Sequence, residues 1–134
     1  MRRSFLLVCV LALLSILTAC SVQKMSTEKL RDLDFTVVSD GIPEELKEMI
    51  QSQKGEVFKL TYADQGKLYI AEGYGKQPSS GYSIEVKECF ESANAIYFHT
   101  NLIGPSKEEK IVDEETYPYI VVQMEFIEKH VVFM

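Results

Sequence analysis

Val57-Phe58-Lys59-Leu60-Thr61-Tyr62, then Asp64-Gln65-Gly66, then Lys67-Leu68-Tyr69-Ile70-Ala71-Glu72 is the stretch that decides the fold class. Apolar and polar residues alternate with period two on each side of a glycine-containing turn, the pattern of an antiparallel hairpin with side chains on opposite faces. The same period recurs downstream. Tyr82, Ile84 and Val86 share a face, as do Ile96 and Phe98, then Ile120, Val122, Met124 and Phe126, and His130 to Phe133 makes a short last strand.

Upstream, Asp34 to Val38 is rich in β-branched and aromatic residues and is closed by Ser39-Asp40-Gly41, which predicts a strand and a turn. One helix follows. Pro43 suits its first turn, Glu44 and Glu45 oppose the positive end of its dipole, Leu46, Met49 and Ile50 form one stripe, and Gly55 stops it. The expected fold is mainly β (α+β): a small antiparallel sandwich or partly open barrel of about seven strands, consecutive strands pairing antiparallel, with the helix over one end. Polar alternate residues Lys59, Thr61, Ser83, Glu85, Lys87, Gln123 and Glu125 predict sheets wet on one face.

The N-terminus obeys different chemistry. Arg2 and Arg3 precede an apolar run from Phe5 to Leu17 that is too short to span a bilayer, and Leu17-Thr18-Ala19-Cys20 has the order of a lipobox. Residues 1–19 are therefore expected to be a lipoprotein signal peptide, with Cys20 the acylated N-terminus, 20–32 a flexible tether and 33–134 a single domain. The implied location is extracytoplasmic, on the cell membrane or, where there is an outer membrane, on that one, as Ser21 after the cysteine favours.

Loss of the signal removes two arginines, so 14 basic residues fall to 12 against 20 acidic ones and the charge moves from −6 to −8. Such a balance argues against nucleic acid or anionic lipid as partner. Cys9 leaves with the signal and Cys20 is acylated, so Cys89 has no intrachain partner and no disulfide framework forms.

No constellation for catalysis stands out. Ser79 and Ser80 lack a Gly-x-Ser-x-Gly context and read as turn residues. His99, His130 and Cys89 follow no ligand spacing, which leaves no metal and no cofactor expected. The carboxylates of 108–115 read as a solvated loop, and Cys89 as a small apolar strand residue. The loop 73–81 does stand out: nine residues, three glycines, a stiffening Pro78 and an expected exposed Tyr74, composed as binding loops on rigid scaffolds are.

Tyr69-Ile70-Ala71, Gly75-Lys76-Gln77-Pro78-Ser79-Ser80-Gly81-Tyr82-Ser83-Ile84-Glu85-Val86 and Thr116-Tyr117-Pro118-Tyr119-Ile120-Val121-Val122 resemble the PrcB C-terminal domain family over roughly residues 55–128. Its core is G-x-x-P-[ST]-G-G-Y-S-[IV] followed by a Y-P-Y strand, with Ser80 here in place of a glycine. The resemblance implies a non-catalytic module that accompanies an extracytoplasmic protease, so the protein is expected to be no enzyme but an interaction module. Its expected partner surface is Tyr74, Gly75, Lys76, Gln77, Pro78, Ser79, Ser80, Gly81 and Tyr82, with Tyr117, Pro118 and Tyr119 beside it. Gln77-Pro78-Ser79-Ser80-Gly81-Tyr82 also resembles the cleft-entering loop of chagasin-type cysteine protease inhibitors, which implies inhibition as an alternative.

Overall fold

The computed structural model describes residues 26–134; the expected signal, lipobox and acylated Cys20 lie outside the described residues. Two four-stranded sheets and one helix make up the domain. The first sheet runs β1 (Arg31–Asp32), β5 (Ser83–Glu91), β6 (Ala95–Ile103), β8 (His130–Phe133); the second runs β2 (Thr36–Val37), β7 (Tyr119–Glu125), β4 (Lys67–Tyr74), β3 (Val57–Asp64). The mainly β sandwich read from the alternation is the fold observed, and the barrel does not close.

The hairpin that decided the reading is present in full register, Val57 opposite Tyr74 through Asp64 opposite Lys67. Its turn is the dipeptide Gln65-Gly66, with φ of 48° and 75°. Two positive φ values give the turn a twist that matches the strands, and Gly66 adopts its value without steric cost.

The inter-sheet core consists of Leu68, Ile70, Ile120, Val122 and Met124 from the second sheet against Cys89, Ile96 and Phe98 from the first. α1 (Glu44–Gln53) buries Leu46 and Ile50 on the other face of the second sheet, against Phe58, Tyr69, Ala71 and Val121. The helix thus covers a sheet face and not an end of the sandwich. The reason is visible in β4, whose six central residues are buried on both faces, so a single apolar layer could not cover them. The expectation of sheets wet on one face fails there for the same reason.

Three other expectations are corrected. The strand expected at 34–38 is shorter, β2 at Thr36–Val37 opposite Val122 and Gln123, and an unexpected short strand before it, β1 at Arg31–Asp32 in the stretch read as tether, pairs with Phe90 and Glu91 in the other sheet. Between them Leu33 turns into the inter-sheet core, so the chain crosses from one sheet to the other. β8 pairs with β6 in parallel, not antiparallel to a sequence neighbour. Phe126 lies beyond the end of β7 and is 47% exposed, outside the stripe that contains Ile120, Val122 and Met124.

A bulge between Val86 and Glu88 shifts the register of β5 against β6. Ile84 and Val86 face the inter-sheet core before it; after it Cys89 faces that core and Phe90 stacks outward on Tyr97, ring centroids 5.0 Å apart. One extra residue exchanges the two faces of a strand.

Candidate functional site

Two chain excursions meet at one end of the sandwich: 75–82, which carries the chain from β4 to β5, and 104–118, which carries it from β6 to β7. Gly75 opens the first with φ +73°, and a side chain there would also crowd the backbone of Glu56 and Val57 at 3.3 Å. Gln77 and Thr116 then pair as an antiparallel bridge, with N–H to carbonyl distances of 2.8 and 3.0 Å. Beyond it, the Thr116 hydroxyl donates to the Ser79 carbonyl (2.7 Å), the Ser80 N–H to the Val112 carbonyl (3.0 Å) and the Val112 N–H to Ser80 Oγ (2.8 Å). Gly81 closes the loop at φ +91°, where an added Cβ would lie 2.8 Å from Pro105.

The loop is therefore half of a hydrogen-bonded pair of excursions. Lys76, Pro78 and Gly81 are exposed, Gln77, Ser80 and Tyr82 are half-buried, and Gly75 and Ser79 are buried. Tyr74, expected at the surface, is the last residue of β4 and half-buried. Its hydroxyl donates to Thr100 Oγ1 at 2.6 Å, and the Thr100 hydroxyl donates to Glu72 Oε2 at 2.7 Å. This chain links the two sheets and gives the buried Glu72 carboxylate a donor, which a buried anion requires.

Tyr117, Pro118 and Tyr119 do come next to the loop, as the Pro118 carbonyl accepts the Tyr74 N–H at 3.1 Å. Tyr119 faces Phe58 at 6.3 Å across Gly73, where a side chain would collide with the Phe58 ring. Lys54, just past α1, stands 5.6 Å above the Tyr117 ring, and Lys76 pairs with Glu115 at 3.3 Å.

Ile111 and Val112 were not singled out by the sequence reading. They are 49% and 59% exposed on the rim beside Ser80 and Gly81. The signal available is two β-branched residues within a run of charges that otherwise reads as a solvated loop.

The remaining candidates serve structure. The Ser79 hydroxyl donates to the Ser80 carbonyl at 3.0 Å and Ser80 Oγ is occupied by Val112, so neither stands next to a base. Cys89 is buried in the core, and burial pushes its thiol up to about 11, which keeps it protonated and unreactive. Among the described residues no three His, Cys, Asp or Glu side chains are grouped to hold a metal ion. At the far end, Glu91 accepts from Lys129 (2.7 Å) and Arg31 (2.6 Å), and these bonds hold its carboxyl below the usual range. The two excursions are thus tied to each other by a backbone bridge and by the hydroxyls of Thr116 and Ser80.

Residues 68–125 match the model of the family described as PrcB C-terminal. The matched span runs from β4 to β7 and so includes both excursions. No curated protein and no solved structure matches the chain.

Proposed function

We propose, with the PrcB C-terminal match as premise, that this chain is a lipid-anchored extracytoplasmic accessory module that assists assembly or stability of a surface or secreted protease complex. The family is one of non-catalytic accessory domains associated with protease complexes. The observation that carries the reading is that the matched span coincides with the paired excursions and the strands that hold them. On this reading 75–82 and 117–119 contact the partner.

The placement of the chain's entry supports the same arrangement. The Ser26 N–H donates to Asn94 Oδ1 (2.8 Å) at the turn between β5 and β6. β5 runs from the loop end to that turn in nine residues, a distance of roughly 30 Å. From Cys20 to Ser26 the chain reaches at most about 20 Å. An acylated Cys20 would thus keep this turn within about 20 Å of the bilayer, with the excursions at the opposite end of β5.

Inhibition of the chagasin type calls for a loop that enters a cleft. Here the backbone of 77–80 is bonded to 112–116, and of 75–82 only Lys76, Pro78 and Gly81 are exposed, a shape suited to docking against a surface. The two readings separate in one experiment: the full-length protein is captured from detergent-solubilised envelopes and bound proteins are identified. A co-purifying protease whose half-life shortens when this protein is deleted supports assembly. Stoichiometric loss of its activity on adding the protein defeats that reading in favour of inhibition. The anchor is tested by Cys20→Ala, which should abolish membrane partitioning or leave an unprocessed precursor; wild-type fractionation and mature mass would defeat it.

A further inference from the structure

The side of the sandwich between β3 and β8 is open. β3 ends its sheet, is paired along all eight residues with β4, and has no strand on its other side among the described residues. The other three outer strands have two, two and four residues. β3 also has no proline and no bulge, and Lys59 is the only inward charge that guards its edge. A long edge with a single such guard is a template for another backbone.

The inner face of β3 is crossed at one point, where Lys59 Nζ stands 5.9 Å from the centre of the Phe133 ring of β8, and is otherwise open. Val57, Lys59, Thr61 and Ala63 continue the face that on β4 carries Leu68 and Ile70, yet all four are exposed, Val57 by 67%. Along this edge runs a groove of about 380 Å³, lined by Thr61, Ala63 and Leu68 on one side and Phe126, Ile127 and Val131 on the other, with Glu128, Lys129 and His130 also in its wall. That volume suits one or two apolar side chains of a bound segment.

The charge around the groove selects the segment. Asp64 and Glu128 have no ion-pair partner among the described residues, whereas the neighbouring Lys129 is held by Glu91 at 2.7 Å and Lys67 by Glu125 at 2.6 Å. Glu45 accepts from the Tyr62 hydroxyl at 2.8 Å, and this bond, with Glu45 and Asp64 as nearby charges, raises the Tyr62 phenol above its ordinary range. Against Asp64, Glu128 and Glu45 stands Lys59, which also has no ion-pair partner among the described residues, so the balance of charge around the open side is negative.

We propose that this open side binds an extended basic segment of a partner protein, which adds a strand to the free edge of β3 and places an apolar side chain in the groove beside Phe126. Backbone pairing supplies affinity, the groove selects an apolar residue, and Asp64 and Glu128 select flanking lysine or arginine. The site is independent of the paired excursions, so it stands or falls separately from the accessory role proposed above.

The test uses the full-length chain in non-ionic detergent and two short acetylated peptides, one alternating lysine with valine and one alternating glutamate with valine. At low salt the basic peptide should bind at least tenfold more tightly than the acidic one and slow amide exchange in 57–64 and 126–133. Glu128→Lys and Phe126→Ala, both at exposed positions, should each weaken it several-fold while leaving thermal unfolding in place. Equal binding of the two peptides, no binding at all, or protection confined to 75–82 and 104–118 would overturn the proposal. So would self-association protecting 57–64 without peptide, since the edge would then belong to a second copy of this chain.

Discussion

The end formed by 75–82 and 104–118 and the open side along β3 invert what their compositions suggest. The first is rich in glycine, proline and serine, yet its polar groups are largely used internally: Gln77 with Thr116, Ser80 with Val112, Tyr74 with Thr100. The second is a regular strand, yet its outer edge has no paired strand among the described residues and its inner face is exposed apart from Lys59 over the Phe133 ring. The difference teaches that loop composition marks where backbone must be held in unusual geometry, while unmet bonding capacity marks where a partner can add. At the closed end the exposed rim of Lys76, Pro78, Gly81, Ile111 and Val112, with the charged residues around it, remains for contact.

If the closed end is structural, the largest effect should come from filling its tightest gap. Gly73→Ala places a methyl group against the buried Phe58 ring and should cost about 3 kcal/mol, read as a fall in the denaturation midpoint. A near-neutral result would mean that Phe58 and Tyr119 can part freely, and the closed end would lose its rigidity.

Next comes the polar chain between the sheets. Thr100→Val removes the donor to Glu72 and the acceptor of Tyr74, an expected loss of about 2 kcal/mol. Tyr74→Phe removes one bond of the same chain and should cost about 1 kcal/mol. If both variants melted like wild type, Tyr74 would return to the role of a free surface anchor.

Glu91 provides a reference away from both regions. Its folded pKa is depressed by Lys129 and Arg31, so its contribution is fully present above the unfolded value of about 4.3 and is lost as pH falls through the lower folded value. Glu91→Gln should cost about 1.5 kcal/mol at neutral pH and flatten this part of the acid limb of the stability profile. An unchanged acid slope would show that other carboxylates govern it.

The smallest effect is expected on the open side. Val57→Thr, at a position 67% exposed, should change stability by less than about 0.5 kcal/mol. A loss of 2 kcal/mol or more would show that the inner face of β3 is covered in solution, and the contrast between the two regions would break.

What the sequence by itself determined is local: the period of two that marks each strand, the Gln65-Gly66 turn, the helix with its Leu46, Met49 and Ile50 stripe, and the motif shared with the PrcB C-terminal family. These were legible because a strand's alternation and a turn's backbone angles involve residues a few positions apart. Only the tertiary structure decided which face of a sheet the helix covers, that β8 runs parallel to β6, that one residue near Lys87 exchanges the faces of β5, and that Ser80 meets Val112. Each of those depends on pairing between distant segments. An unpaired strand edge leaves no mark in local periodicity, because the same alternating residues serve a strand with one neighbour or with two.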